Sequence, residues 1–156
     1  MDESTLETSK TFIGDVYLDE DGARIPVRIN DNGWLKIMRD APSVLPTTLW
    51  FGCYHIDGED TYVIKEYANG GMLKGPTAGI SDNGYLGFYK SDPARRWLLS
   101  KADGEILIPR ETPEAHFCVS TKGGRKWTAE GDDCIARKGS DSSFLLHIHK
   151  VGVYRF

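Results

Sequence analysis

The sequence predicts an all-β chain assembled from three copies of one unit, and three observations carry that expectation. The first is repetition. Ser81-Asp-Asn-Gly-Tyr-Leu-Gly-Phe-Tyr-Lys90 returns in altered form as Asn30-Asp-Asn-Gly-Trp-Leu-Lys-Ile-Met-Arg39, 51 residues earlier with Gly84 set against Gly33. It returns again as Gly131-Asp-Asp-Cys-Ile-Ala-Arg-Lys138, 49 residues later with Asp133 set against Gly84. The second observation is that the flanks recur with it. An apolar run ending in a glycine turn stands ahead of each copy (12–22, 62–71, 116–124), and a second apolar run stands behind it (Leu49-Trp-Phe, Trp97-Leu-Leu, Phe144-Leu-Leu). The third is texture: short runs of Val, Ile, Tyr, Trp and Phe are cut by Gly, Pro, Asn and Asp, the pattern of strands and turns, and no i, i+3, i+4, i+7 stripe marks a helix. Self-similarity at a period of about fifty residues is the mark of a fold built by repetition.

Taken in order, residues 1–10 lack apolar periodicity and read as a flexible N-terminal tail. Residues 11–156 read as a single domain, in units of 11–60, 61–114 and 115–156. Each unit reads as four strands: 12–18, 24–29, 34–39 and 49–55 in the first, 62–67, 72–75, 85–89 and 97–100 in the second, 117–121, 126–129, 134–137 and 144–149 in the third. The second strand of the second unit is taken to end at Gly75. An additional run, 105–108, follows the second unit, and the last strand, with the terminal run 151–156, is expected beside the strand that starts at Phe12, closing a barrel.

Four-stranded units repeated three times bury one face each most simply by closing into a threefold barrel, which also removes exposed sheet edges. The stretch Tyr62-Val-Ile-Lys-Glu-Tyr-Ala-Asn-Gly-Gly-Met-Leu73 resembles the opening of a β-trefoil unit, and Ala94-Arg-Arg-Trp97 resembles a degraded Gln-x-Trp box of ricin-type lectins. The resemblance covers residues 11–156 and implies a β-trefoil with three pseudo-repeats. A different β-barrel, or a pair of packed sheets, is the alternative fold.

At 156 residues with 40% hydrophobic composition, the chain has the length of one domain and enough apolar side chains for a core. A formal charge of −4 argues against nucleic acid as a partner, since phosphate binding calls for a basic patch. The acidic start, Met1-Asp-Glu-Ser-Thr, is unlike a signal peptide, and no apolar run approaches the roughly 20 residues of a membrane span. A soluble, cytoplasmic protein with no membrane insertion is therefore expected. Cys53, Cys118 and Cys134 each lie in or beside an apolar run, the usage of buried free thiols.

Period-two alternation assigns the faces of the third strand in each unit. Leu35 with Ile37, Leu86 with Phe88, and Ile135 are expected in the core. The outward face then carries Trp34, Lys36 and Met38, then Tyr85, Gly87 and Tyr89, then Cys134, Ala136 and Lys138. Two units thus place an aromatic ring just after a polar turn. A ring can stack on the C–H face of a pyranose while carboxylate and amide oxygens accept from its hydroxyls. Trp34 with Asp31 and Asn32, and Tyr85 with Asp82 and Asn83, are accordingly the candidate sugar sites. Glycans or glycoproteins are the expected partners, bound by avidity between sites. The third unit offers Asp132 and Asp133 without a ring. The same Asp-Asn-Gly triplets also serve simply as hairpin turns.

Likeness to plant and fungal trefoil inhibitors implies a second function, protease inhibition through a proline-flanked loop, with Arg95, Arg96 or Arg110 entering the enzyme's pocket. A fascin-like protein-interaction scaffold is a third. Enzymatic chemistry is not expected. His147 and His149 share a strand face and could hold a metal given a third ligand, or be ordinary surface histidines. His116 and Cys118 have no orienting partner named by the sequence. Asp57, Glu59 and Asp60 read as a solvated hairpin end or a weak calcium site. No cofactor motif is present.

Overall fold

The computed structural model describes residues 6–41, 43–68, 72–90, 95–101, 114–139 and 142–152. The run 105–108, the loop 109–113 with Arg110, and residues 153–156 lie outside the described residues. The chain is all-β. Its strands are β1 Phe12–Glu20, β2 Ala23–Ile29, β3 Leu35–Ile37, β4 Leu49–Ile56, β5 Glu59–Ala68, β6 Met72–Ile80, β7 Leu86–Tyr89, β8 Leu98–Lys101, β9 Glu114–Ser120, β10 Lys126–Glu130, β11 Asp133–Arg137 and β12 Phe144–Val151. A single 3-10 turn, Thr8–Lys10, precedes them, and among the described residues no helix is long and apolar enough to cross a membrane.

The sheet closes. Pairing runs β12-β9-β10-β11-β3-β2-β1, and β1 returns to β12 with Phe12 opposite Val151 and Leu18 opposite Phe144, giving a closed barrel of seven strands. A second circuit of antiparallel pairs runs β1-β4-β5-β8-β9-β12. Its β5–β8 link is the reciprocal pair of bonds between Tyr62 and Trp97, each 2.8 Å. The inward side chains fill the barrel. Phe12 stacks on Phe51 with centroids 4.7 Å apart, Phe51 meets Phe117 edge to face, and Trp97 meets Trp127 at 5.8 Å. Aromatic contacts of this kind add to the burial of large rings, which is the main favourable term in such a core.

Two local expectations change. β6 does not stop at Gly75; it passes through Pro76 to Ile80. Its ladder with β5 shifts register between Lys65 and Tyr67, and an irregularity of this kind admits a residue that cannot donate to the ladder. Residues 6–10, expected as tail, lie along β4: Leu6 bridges Tyr54, and the Glu7 amide donates to the Cys53 carbonyl at 2.7 Å. Leu6 has an apolar place to go, an outer cluster around Trp50 and Val63.

Candidate functional site

Three hairpins meet edge to edge, and their turns decide what they present. The first runs β2–β3. The Asn30 amide donates to the Trp34 carbonyl and the Gly33 amide to the Asn30 carbonyl, while the Asn30 side-chain oxygen accepts from the amides of Asn32 and Trp34. The second, β6–β7, repeats this with Ser81 as the side-chain acceptor, taking the amides of Asn83 and Tyr85. Gly33 at φ 85° and Gly84 at φ 88° occupy the left-handed region that such a turn needs at its fourth residue. The third hairpin, β10–β11, is shorter. Glu130 pairs with Asp133, leaving only Gly131 and Asp132 in the turn.

The hairpins are joined in a cycle. Trp34 bridges Gly87, Tyr85 bridges Ile135, and Asp133 pairs with Lys36. Correspondingly, the Phe88 amide donates to the Gly33 carbonyl at 2.7 Å, the Ala136 amide to Gly84 at 2.9 Å, and the Ile37 amide to Asp132 at 2.8 Å. Asp132, not Asp133, therefore takes the place of Gly33 and Gly84, and Asp133 takes that of Trp34 and Tyr85. This corrects the expected faces of the third hairpin. Cys134 and Ala136 are core residues, 1% and 4% exposed, and Ile135 is only half-buried. A one-residue slip moves every side chain of a strand to the opposite face.

The cycle brings Trp34, Tyr85 and Asp133 around one cavity of about 400 Å³, lined also by Lys36, Ser81 and Asn83. Tyr85, 39% exposed, is the open ring. Trp34 is half-buried and forms a wall: Tyr85 meets it edge to face at 6.3 Å and Tyr89 at 6.0 Å. Glycine makes room for that wall. A Cβ on Gly87 would lie 2.9 Å from the Tyr89 hydroxyl and 3.1 Å from Cε3 of Trp34. Burial pushes the Tyr89 phenol above its ordinary value, with the nearby Ser81 hydroxyl pulling the other way. In the same cavity, the Lys36 ammonium pairs with the Asp133 carboxylate.

Of the residues expected to bind sugar, Trp34, Asn83 and Tyr85 thus line one cavity. Asp31, Asn32 and Asp82 are exposed turn residues that do not line it. Sequence reading missed Lys36, Ser81 and Asp133 as lining. A signal for Ser81 was present: a side-chain oxygen three residues before a glycine recurs at Asn30, Ser81 and Thr121, and Thr121 accepts the Arg125 amide in the same way.

The other candidates are dispersed. Arg96 lies half-buried over the Tyr54 ring at 4.5 Å, while Arg95 is exposed. His147 Nδ1 lies 3.3 Å from Glu114, His149 Nε2 lies 2.8 Å from Asp15, and His116 Nε2 lies 2.7 Å from Asp19. Asp60 is held by Lys10 at 2.7 Å and His55 at 2.9 Å. Among the described residues, no group of three or more His, Cys, Asp or Glu side chains is arranged to hold a metal ion. Comparison with protein-family models, with curated proteins and with solved structures finds no match for this chain.

Proposed function

We propose that the chain is a non-enzymatic, sugar-binding module of β-trefoil organisation with a single site at the hairpin cycle. Support for the trefoil comes from two circuits of pairing: the β1-β4-β5-β8-β9-β12 ring, and the cycle of three bridges that links the β2–β3, β6–β7 and β10–β11 hairpins. The observation that carries the ligand is the cavity itself. An open tyrosine face shares the cavity with a lysine, a carboxylate and an amide, so apolar C–H surface and hydroxyls of one pyranose are met together. Lys36 and Asp133 cancel in charge, which suits a neutral sugar: its hydroxyls both accept and donate.

One merged cavity also changes the expected stoichiometry from up to three sites to one. A glycan array followed by calorimetry with the best ligand tests this. One sugar per chain is expected, with Tyr85→Ala weakening it by roughly tenfold or more, the scale of losing about 1.4 kcal/mol of contact. Asp31→Ala and Asp82→Ala should leave affinity unchanged. A flat array, or sugar binding indifferent to Tyr85→Ala in a folded variant, removes the proposal.

A further inference from the structure

A second, smaller cavity lies further along the β6–β7 hairpin. It measures about 240 Å³ and is lined by Thr77, Ala78, Gly79, Ile80, Tyr89, Lys90 and Arg95. Thr77 stands opposite Tyr89 in the ladder and is 5% exposed, yet among the described residues its hydroxyl has no hydrogen-bond partner. Buried polar atoms are nearly always satisfied, so an orphan beside a cavity points to a missing partner. The described lining favours an anionic partner. Among the described residues, Lys90 and Arg95 are both exposed, neither is ion-paired with a carboxylate, and the cavity lining holds no carboxylate. A hydroxyl, an ammonium and a guanidinium offer several donors from separate points of the wall, which suits the oxygens of a tetrahedral anion better than a planar carboxylate with two.

We infer that this cavity is an oxyanion site that takes a phosphate or sulfate group through Thr77, Lys90 and Arg95. It is independent of the sugar proposal, since neither Trp34 nor Tyr85 lines it. The group could come as the free ion or as an ester on a larger molecule, and both supply the same oxygens.

Calorimetric titration at fixed ionic strength tests the site with inorganic phosphate, inorganic sulfate, a hexose 6-phosphate and a hexose 6-sulfate. Saturable one-to-one binding of at least one probe is expected. Thr77→Val should weaken it by roughly tenfold or more, because a hydrogen bond to a charged group is lost. The anion-free variant should melt no lower than wild type, since it sheds an unsatisfied hydroxyl. Lys90→Ala/Arg95→Ala, on the surface, should abolish binding without touching the fold, and decides the matter should Thr77→Val misfold. Equal affinity for ion and ester identifies a free-ion site; preference for an ester identifies a substituted ligand. Tyr85→Ala should leave anion binding intact, which separates this site from the sugar cavity. Absence of saturable binding for all four probes, or binding unchanged in Lys90→Ala/Arg95→Ala, overturns the inference.

Discussion

The first hairpin, β2–β3, and the third, β10–β11, fill corresponding places in the cycle of bridges, but the first turns through residues 31–33 and the third through Gly131 and Asp132 alone. That single residue decides the chemistry each delivers. Trp34 and Asp133 make the same kind of bridge, so what would be a third aromatic wall is instead a carboxylate facing Lys36. It also decides the core: Cys134 stands where Leu35 and Leu86 stand, and Ala136 where Ile37 stands. Turn length sets register, and register sets which residues reach ligand or core.

The largest expected effect comes from testing that register directly. Ala136→Asp would bury a carboxylate among Val119, Trp127 and the other core residues, at a cost of about 3 kcal/mol or more. Ile135→Asp, one residue away on the half-buried face, should cost clearly less, roughly 1–2 kcal/mol. Urea denaturation of both variants ranks them. The reverse order would restore the outward-facing Ala136 that setting Asp133 against Gly33 and Gly84 implies.

That alignment shows what was legible in the chain and what was not. Most strand positions were, because strands such as β1, β2, β4, β5 and β12 are runs rich in β-branched and aromatic residues. The extension of β6 was not, because Gly75-Pro76 is locally indistinguishable from a turn, and only the register shift against Lys65 and Tyr67 lets the strand continue. The third hairpin was misread because Asp133 was set against Gly33 and Gly84, a register that overlooks a turn one residue shorter, in which Asp132 takes that place. The rings were recognised as outward-facing, yet their convergence was not: the bridge from Trp34 to Gly87 spans 53 positions, and nothing in the local pattern encodes it. Nor does alternation reveal that a half-buried Trp34 acts as a wall while Tyr85 stays open.

An intermediate effect distinguishes the thiols. Burial pushes the Cys134 thiol well up, and likewise raises Cys53 from 9.0 to about 11. Both should resist a soluble disulfide reagent near pH 8 until the chain unfolds, while half-buried Cys118 reacts first. Rapid native-state labelling of Cys134 would contradict its core place. The sign for stability follows from linkage. A thiol whose folded value is raised contributes stability that is complete below pH 9.0 and is lost as pH rises towards about 11 for Cys53. The thermal midpoint should therefore fall across that interval, and fall less steeply in Cys53→Ala.

The smallest effect concerns the contact that joins the two hairpins under comparison. Asp133 and Lys36 form the one ladder pair between β11 and β3 among the described residues, and their side chains also form an ion pair. Those side chains are 38% and 35% exposed, so water screens the charges and much of the attraction is offset by desolvation and side-chain ordering. A double-mutant cycle with Lys36→Met and Asp133→Asn should give a coupling of no more than about 1 kcal/mol, declining with added salt. The backbone bond from Ile37 to Asp132 and the buried Leu35, Ile37 and Cys134 beneath would then be what closes the cycle, leaving the charges available to a ligand. A coupling well above that, insensitive to salt, would mean that the third hairpin is held by its carboxylate, and Asp133 could not be surrendered to a sugar hydroxyl without loosening the cycle of hairpins.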